Sequence, residues 1–439
     1  MKIHLSNAAY GMADYLAYPL GMLAVAPVAL RALGIERYGI WMMATAALTT
    51  GAILASGFGD ANIRSVAIQH AIGDRKALLT AVRTTLGIHT VLGALMAGLG
   101  WVVAPWVSAR VTASHAELHT DCLWSLRIAS LLMLARAIET VCVSTQRAHG
   151  RYGAAIRVSV LGRLLTLAGV CILPFVSRTV TCLMVAAAIV SAVSTWIQVE
   201  HLKRLIGVRR LLPMFDRDMT RSILGFGAFT WLQAVTGLLF GQVDRLIVGA
   251  SFGAAALSSY GICAQLSQPI YGLAAAGLHF LFPYLTSREA LHQSASLRRG
   301  VLLALAANLL FVLCALSGLL LFGNVLLRFW GGAAVAQAGG SLLPIIAVSA
   351  ALSALSITGS YSMLALNRAS AVTLLNLCGG LALLASAPWL MARFGLEGMG
   401  YARLLYGPFA LLIYVPLSAR LARTTSPVHA PRAHVCEEA

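Results

Sequence analysis

The stretch that decides the fold is Arg31-Ala32-Leu33-Gly34-Ile35-Glu36-Arg37-Tyr38-Gly39-Ile40-Trp41, followed by an apolar run that ends at Gly57-Phe58-Gly59-Asp60-Ala61-Asn62-Ile63-Arg64. It consists of a short polar loop, one helix of membrane length and a charged exit. The loop returns in altered form at residues 249–262, where Gly253 precedes Tyr260-Gly261-Ile262 as Gly34 precedes Tyr38-Gly39-Ile40. This repeat, about 220 residues apart, predicts that the chain consists of two halves of similar length.

The composition is typical of an integral membrane protein. Of the 439 residues, 59% are hydrophobic and 11% are charged, whereas soluble domains carry about 25% charged residues. The net charge of +17 does not require nucleic acid, because the cytoplasmic loops of membrane proteins collect Lys and Arg. The eight cysteines are scattered and form no C-x-x-C motif, so neither disulfides nor a metal cluster is expected. We interpret the apolar start of the chain, up to Leu30, as an uncleaved first span.

Division of the chain at its polar breaks predicts twelve transmembrane helices, since about 20 helical residues cross the hydrocarbon core. The predicted spans are residues 8–30, 39–62, 84–107, 124–146, 158–176, 180–199, 222–245, 256–285, 300–322, 341–364, 372–392 and 399–420. They form an N-terminal lobe at 1–200 and a C-terminal lobe at 222–420, joined by a basic linker at 201–221 and followed by a tail at 421–439. Because six spans return the chain to its starting side, the halves form a parallel repeat around a central cavity, as in alternating-access transporters. The predicted fold class is an all-α polytopic membrane protein.

The distribution of Lys and Arg predicts that both termini face the cytoplasm. In that orientation, 21 of the 32 basic residues lie on the cytoplasmic side, seven lie on the outer side and four lie inside spans. The linker at 201–221 is the densest basic segment. It is either a solvated connection held inside by its charge or a docking site for anionic headgroups.

Several motifs, taken in order, link the chain to a known family. They are the stretch Arg31–Trp41, Gly57–Asp60 leading to Arg64 and Gly73-Asp74, Asp244-Arg245-Leu246-Ile247-Val248-Gly249, and Phe394-Gly395-Leu396-Glu397-Gly398-Met399-Gly400-Tyr401-Ala402. In order and spacing they resemble the polysaccharide (O-antigen) flippases, Wzx-like, of the multidrug/oligosaccharidyl-lipid/polysaccharide exporter superfamily. The resemblance covers the whole chain, including its length and its twelve spans.

The resemblance implies a transporter and not an enzyme. Its cargo would be an undecaprenyl-pyrophosphate-linked oligosaccharide, carried from the inner to the outer leaflet of the bacterial inner membrane by alternating access. No cofactor is expected, and a proton or sodium gradient is the candidate driving force. Besides the bilayer and the lipid-linked glycan, the candidate partners are polysaccharide polymerase and chain-length proteins; nucleic acid is not a partner.

Two other functions remain open. A multidrug or cation antiporter of the same superfamily would carry acidic residues in its cavity, whereas the spans contain four arginines against only two clear carboxylates, Asp14 and Glu139. An envelope polysaccharide polymerase or glycosyltransferase would need a sizeable extramembrane domain. No loop between the predicted spans exceeds about 25 residues, which disfavours such an enzyme.

Charges inside the spans are the main site candidates, since each costs about 2.5–3.5 kcal/mol at mid-bilayer. Arg136 lies near the middle of the fourth span, and Glu139 follows at i+3 on the same helical face. Either the two neutralise each other within the bundle, or Arg136 lines the cavity and binds a pyrophosphate or an acidic sugar, with Glu139 holding it or exchanging a proton. Arg127, Arg163 and Arg403 lie near span ends, where they snorkel or serve as further cavity residues.

The remaining acidic candidates lie elsewhere along the spans. Asp14, about two turns into the first span, either couples transport to a proton or cation or joins an interhelical pair. Asp244 and Arg245 are interpreted as a structural ion pair at the outer end of the seventh span. Asp60 and Arg64 are interpreted as an inner gate or a structural ion pair.

Polar side chains without charge give one further candidate group. Gln233, Gln242, Gln265 and Gln268 lie on the seventh and eighth spans, and we select Gln265 and Gln268 as substrate-binding candidates. Such amides either bind sugar hydroxyls or join helices by hydrogen bonds. The segment His115-Ala116-Glu117-Leu118-His119 departs from the H-E-x-x-H zinc motif, so no metal site is expected.

Overall fold

The chain folds into a bundle of long helices in two lobes, as seen in a computed structural model that describes residues 21–278, 281, 284–286, 294–366 and 368–423. No strand occurs within these described residues. The helices are α1 (Gly21–Leu33), α2 (Ile35–Ser56), α3 (Gly59–Ile72), α4 (Arg75–Val111), α5 (His119–Ala148), α6 (Tyr152–Ile172), α7 (Val180–Ile206), α8 (Arg217–Gly241), α9 (Val243–Leu278), α10 (Ser294–Gly339), α11 (Leu342–Ala365), α12 (Ala369–Phe394), α13 (Leu396–Leu411) and α14 (Tyr414–Arg423). The predicted fold class is confirmed.

Within the described part of the chain, nine helical stretches are long and apolar enough to cross a membrane. One of them, Thr230–Leu278, covers two predicted spans, because only a brief break at Gln242 separates α8 from α9. α5 is not among the nine, yet its 30 residues match the predicted fourth span. The described helices therefore follow the predicted segmentation, with α1 as the described part of the first span.

Capping side chains and glycines with positive φ mark several helix ends and one kink. Asp74 begins α4 by accepting a hydrogen bond from the Ala77 N–H at 2.9 Å, and Asp216 begins α8 by accepting one from Met219 at 2.9 Å. Gly34 precedes α2 with φ 80°, and Gly253 kinks α9 with φ 83°, a region that glycine enters without steric cost. The two glycines of the sequence repeat thus share one backbone conformation.

The two lobes are assembled from separate sets of helices. Helices α2 to α7 pack together as the N-lobe, and α9 to α13 pack together as the C-lobe. The first helix of each repeat contacts both lobes. In α1, Gly21 lies against Leu167 of α6, while Arg31 donates a hydrogen bond to the Phe329 carbonyl of α10.

Helix α8 bridges the lobes in a similar way. The Trp231 indole N–H donates to the Leu54 carbonyl of α2 at 3.0 Å, and α8 also packs against α12. The basic linker before α8 does not stand free of the bundle, since the Met214 N–H donates to the Arg83 carbonyl of α4 at 3.1 Å.

The lobes meet where the two copies of the repeat face each other, at the end of the bundle that the sequence predicts to be outer. Ser258 donates a hydrogen bond to the Ile35 carbonyl. Gly39 packs directly on the backbone of Ala254, so closely that a Cβ at position 39 would lie 1.9 Å from the Ala254 oxygen. The predicted outer end is therefore closed in this structure.

Candidate functional site

The N-lobe contains a cavity of about 620 Å³ between α2, α5, α6 and α7. Its charged lining residues are Arg136, Glu139, Arg147 and Arg163. Thr45, Thr49, Thr140, Ser159 and Ser191 also line the cavity. Its charge is therefore cationic, with three arginines against one carboxylate among the described lining residues.

Arg136 and Glu139 form the centre of this wall. One guanidinium nitrogen of Arg136, Nη1, donates to Glu139 Oε2 at 2.9 Å, and Ser159 on α6 donates to Glu139 Oε1 at 2.8 Å. The Glu139 side chain is 6% exposed and the Arg136 side chain 33% exposed. Glu139 is thus fixed from two helices, while the guanidinium it holds remains open to the cavity.

The polarity of the N-lobe cavity changes along its length. Arg147 and Ser159 lie toward the predicted cytoplasmic end, whereas Leu183 and Val170 lie toward the predicted outer end, below the closed contact between the lobes. Arg163 and Arg136 lie between these two regions. An anionic group entering from the predicted cytoplasmic side would meet the arginines before the uncharged outer part of the cavity.

The C-lobe contains a second cavity, of about 460 Å³, lined by α9, α11, α12 and α13 together with α1 and α8. It shares no lining residue with the N-lobe cavity. Its polar lining is mostly uncharged and includes Gln233, Gln265, Gln268, Asn376, Ser353 and Ser356. Two arginines, Arg245 and Arg403, also contribute to its wall.

A buried ion pair stands behind this wall. Arg403 donates to Asp244, and the Tyr260 hydroxyl donates to the same carboxylate oxygen at 2.6 Å. The Asp244 side chain is 0% exposed and that of Arg403 10% exposed. The charge of Arg403 is therefore matched inside the protein. Arg245 is the other cation in this wall, and no described carboxylate lies within salt-bridge distance of it.

One sequence prediction is corrected here, and one alternative that the sequence left open is decided. Asp244 was expected to pair with Arg245, but it pairs with Arg403, and Arg245 contributes only its backbone N–H to the Asp244 carboxylate at 2.8 Å. Arg403 was expected either to snorkel or to serve as a cavity residue, and it lines the C-lobe cavity, where its side chain donates to Asp244. A separation of 159 residues between Asp244 and Arg403 left no signal in the sequence.

Gln265 joins the C-lobe cavity to the lobe interface. Its side-chain oxygen accepts a hydrogen bond from the Tyr38 hydroxyl of α2 at 3.1 Å. Gln265 is 4% exposed, and its Nε2 is buried without a hydrogen-bond partner. Gln268 lies one turn further along α9 and is exposed to the cavity. The structure thus brings Gln265, Gln268 and Arg403 together, apart from Arg136, Glu139 and Arg163.

The other predicted residues lie away from both cavities or outside the described residues. Arg127 lies on α5, with its guanidinium 4.9 Å from the Trp101 ring centroid and 5.2 Å from that of Trp124. Asp60 and Arg64 are exposed on α3 and line neither cavity. Asp14 lies outside the described residues.

The segment around His115 forms a small charged cluster at the surface. His115 lies 3.4 Å from Glu36 and 3.0 Å from Glu117. A backbone hydrogen bond, together with one from His115, lowers the pKa of Glu117. Among the described residues, no three His, Cys, Asp or Glu side chains lie together in a position to hold a metal ion.

Some cavity residues were not predicted from the sequence. Arg147 was placed in a cytoplasmic turn, but α5 continues to Ala148 and turns this side chain toward the cavity. Ser159 was not selected, and neither was Tyr260, which binds Asp244 behind the C-lobe cavity wall, since an isolated hydroxyl gives little signal. Tyr260 does belong to the repeated Tyr-Gly-Ile motif, which could have marked it.

The chain matches one protein family by sequence and several solved transporters by fold. A sequence profile of the family described as "Polysaccharide biosynthesis protein" matches residues 6–289. No curated protein sequence matches the chain. Among solved structures, the chain is similar to the lipid II flippase MurJ in its inward closed conformation, with 14% identity, 94% of this chain and 87% of that chain covered, and a TM-score of 0.73.

Multidrug transporters share the same architecture. An inward-facing MATE family transporter of the MOP superfamily is 15% identical over 95% of each chain, with a TM-score of 0.72. An outward-facing MATE family transporter is 15% identical over 97% of this chain and 96% of that chain, with a TM-score of 0.63. At these identities the likeness to solved structures concerns the fold.

Proposed function

Because this chain belongs to the polysaccharide biosynthesis protein family of the multidrug/oligosaccharidyl-lipid/polysaccharide exporter superfamily, we propose that it is a flippase for a lipid-linked glycan. Its cargo is an undecaprenyl-pyrophosphate-linked oligosaccharide, the repeat unit of O-antigen or another surface polysaccharide. It carries this cargo across the bacterial inner membrane by alternating access between its lobes, with both termini in the cytoplasm.

The observation that carries this proposal is the arginine wall of the N-lobe cavity. Three arginines, Arg136, Arg147 and Arg163, line this cavity, and Glu139 is its one acidic lining residue in the described part of the chain. A planar guanidinium can bind phosphate through two parallel hydrogen bonds, and in a membrane interior an arginine surplus favours an anionic partner. A pyrophosphate has the charge and the geometry that this wall fits.

The second candidate is a multidrug or cation antiporter, which the similarity of fold to MATE transporters keeps open. The cavity charge argues against it, since a cationic drug would meet three arginines in the N-lobe. In the C-lobe, the buried carboxylate Asp244 is already bound by Arg403 and Tyr260. A polymerase or glycosyltransferase has less support, because the family and fold matches are to transporters.

A deletion strain tests the proposal as a whole. Loss of this chain should abolish the surface glycan and cause the lipid-linked repeat unit to accumulate on the cytoplasmic face of the membrane. A normal surface glycan without accumulation would contradict flippase activity.

Arg136 provides the residue-level test. Arg136→Ala should abolish glycan export at a normal protein level, because the cavity loses the guanidinium that Glu139 presents. Arg136→Lys should restore part of the export, since a charge remains without the planar fork. Arg127→Ala is the matched control on the same helix, because Arg127 stacks on Trp101 and Trp124 outside the cavity. Full export by Arg136→Ala would remove this residue from the site.

A further inference from the structure

The two cavities differ in the chemistry they offer a ligand. The N-lobe cavity presents Arg136, Arg147 and Arg163, which suit a compact anion. The C-lobe cavity presents mostly amides and hydroxyls; of its two arginines, the buried Arg403 is neutralised by Asp244, which leaves Arg245 as its one unmatched cation among the described lining residues. A lipid-linked oligosaccharide likewise has a compact pyrophosphate and an extended, hydroxyl-rich glycan.

Gln265 carries an unsatisfied hydrogen-bonding group in the C-lobe cavity. Its side-chain oxygen is engaged by Tyr38, but its Nε2, with two N–H donors, is buried without a partner. Leaving buried donors unpaired is costly, so such a group is usually paired with an acceptor. No acceptor lies within hydrogen-bond distance of this nitrogen among the described residues, and Gln265 is one of the residues that line the cavity.

The groups around Gln265 suit a sugar better than a phosphate. Gln268 extends one turn away on the same helix and is exposed to the cavity. Asn376, whose side-chain oxygen accepts a hydrogen bond from Tyr406 at 3.1 Å, also lines the cavity. Rings of Tyr271 and Tyr361 also line the cavity. Apolar and aromatic walls with a few polar groups are typical of pockets that orient a small organic ligand.

We propose that the C-lobe cavity is a glycan subsite, in which Gln265 Nε2 donates to a hydroxyl oxygen of a sugar and Gln268 binds a neighbouring hydroxyl. This inference rests on the proposed function, in which the N-lobe arginines hold the pyrophosphate. The two lobes therefore hold different ends of one substrate. Since Gln265 also accepts from Tyr38 across the interface, the residue that binds the sugar belongs to the contact that closes the predicted outer end.

The experiment compares two probes on the full-length chain in nanodiscs. One is undecaprenyl pyrophosphate, which lacks the glycan. The other is the lipid-linked glycan extracted from a strain that lacks this chain. The measured quantity is the ratio of the two dissociation constants, because it reports the glycan contribution and cancels effects common to both probes.

Gln265→Leu should weaken binding of the lipid-linked glycan about tenfold while leaving undecaprenyl pyrophosphate within about twofold, so the ratio changes. Tyr38→Phe is the matched control, because it removes the same interlobe hydrogen bond but keeps the Gln265 amide. It should change both constants by the same factor. Gln268→Leu, at an exposed position that packing does not require, should change the ratio in the same direction as Gln265→Leu.

The outcomes separate this inference from the proposed function. If Gln265→Leu and Gln268→Leu leave the ratio unchanged, or if Tyr38→Phe changes it as much, the glycan subsite is refuted while the flippase proposal stands. If the wild-type chain binds neither probe, or if the deletion strain accumulates no lipid-linked glycan, the proposed function itself fails.

Discussion

Each lobe contains one acidic and basic pair beside its cavity, but the two pairs lie in different environments. In the N-lobe, Glu139 is 6% exposed and Arg136 33% exposed, so one partner is fixed and the other is open to the cavity. In the C-lobe, Asp244 and Arg403 are 0% and 10% exposed, and Tyr260 adds a further hydrogen bond. An acidic and basic pair thus leaves a charge open to the cavity in one lobe and forms a buried structural contact in the other.

The strongest test of this comparison is to remove the carboxylate charge from each pair. Asp244→Asn leaves Arg403 buried without a counter-charge, and breaking a buried pair in this way costs about 3–5 kcal/mol. Glu139→Gln should cost only about 1 kcal/mol, because the amide still accepts from Ser159 and the Arg136 guanidinium reaches the cavity. We expect Asp244→Asn to lower the thermal unfolding midpoint in detergent far more than Glu139→Gln.

A double substitution controls for the loss of Asp244. Asp244→Asn combined with Arg403→Met removes both charges and should recover most of the lost stability, since an apolar replacement of a buried pair is often neutral. Glu139→Gln should instead reduce glycan export at a nearly normal midpoint. If Asp244→Asn and Glu139→Gln lowered the unfolding midpoint equally, the two pairs would not differ in the way that their exposed fractions indicate.

The next test uses the two copies of the Tyr-Gly-Ile repeat. An added Cβ at Gly39 would lie 1.9 Å from the Ala254 backbone oxygen, whereas one at Gly261 would meet the flexible Met42 side chain at 2.3 Å. Overpacking costs about 1–3 kcal/mol, and about 1.4 kcal/mol shifts a two-state population tenfold. Gly39→Ala should therefore open the predicted outer end, and Gly261→Ala should be tolerated better.

Accessibility of the C-lobe cavity measures this opening. Ser356→Cys introduces a buried thiol on the cavity wall in a chain whose other cysteines are replaced. A membrane-impermeant maleimide added from outside should label it faster with Gly39→Ala than with Gly261→Ala or with neither. Equal labelling of all three would show that the Gly39 contact does not hold the outer end closed.

The sequence predicted what depends on local physics. Hydropathy over about 20 residues is a property of each segment, so the spans could be located before their packing was known. The contact between Arg136 and Glu139 was also accessible, because residues at i and i+3 share one face of a helix. Recognition of the family followed from motifs in the same order along the chain, and the family match confirms it.

What the sequence could not predict depends on how distant helices pack. Asp244 pairs with Arg403, 159 residues away in the sequence, and not with the side chain of its neighbour Arg245, because adjacent residues on a helix point in different directions. Arg147 was assigned to a turn, and one further stretch of helix placed it in the cavity wall. The division of the polar residues into two cavities depends on the same long-range packing and had no signature in either half alone.

The smallest predicted difference between the lobes concerns the turns after α5 and α11. The N-lobe turn contains His149, whose Nδ1 lies 2.9 Å from the Thr145 carbonyl and whose ring centroid lies 4.4 Å from that of His70. Burial lowers the pKa of His149 below the ordinary 6.5, as do the charges of His70 and Arg151, and the hydrogen bond to Thr145 opposes them. The described residues of the C-lobe turn, Leu366, Arg368 and Ala369, include no histidine.

Since the unfolded chain binds this proton at a higher pH than the folded chain, stability is complete above pH 6.5 and falls as the pH drops toward the folded pKa. One proton contributes at most about 1.4 kcal/mol per pH unit, and partial exposure of the ring keeps the effect well below that ceiling. His149→Asn should therefore flatten the decline of the thermal unfolding midpoint between about pH 7 and pH 5, whereas Ser370→Asn, at the start of α12 beside the C-lobe turn, should leave the wild-type slope. A slope in His149→Asn as steep as in the wild type would assign the acid sensitivity to other groups and remove this difference between the lobes.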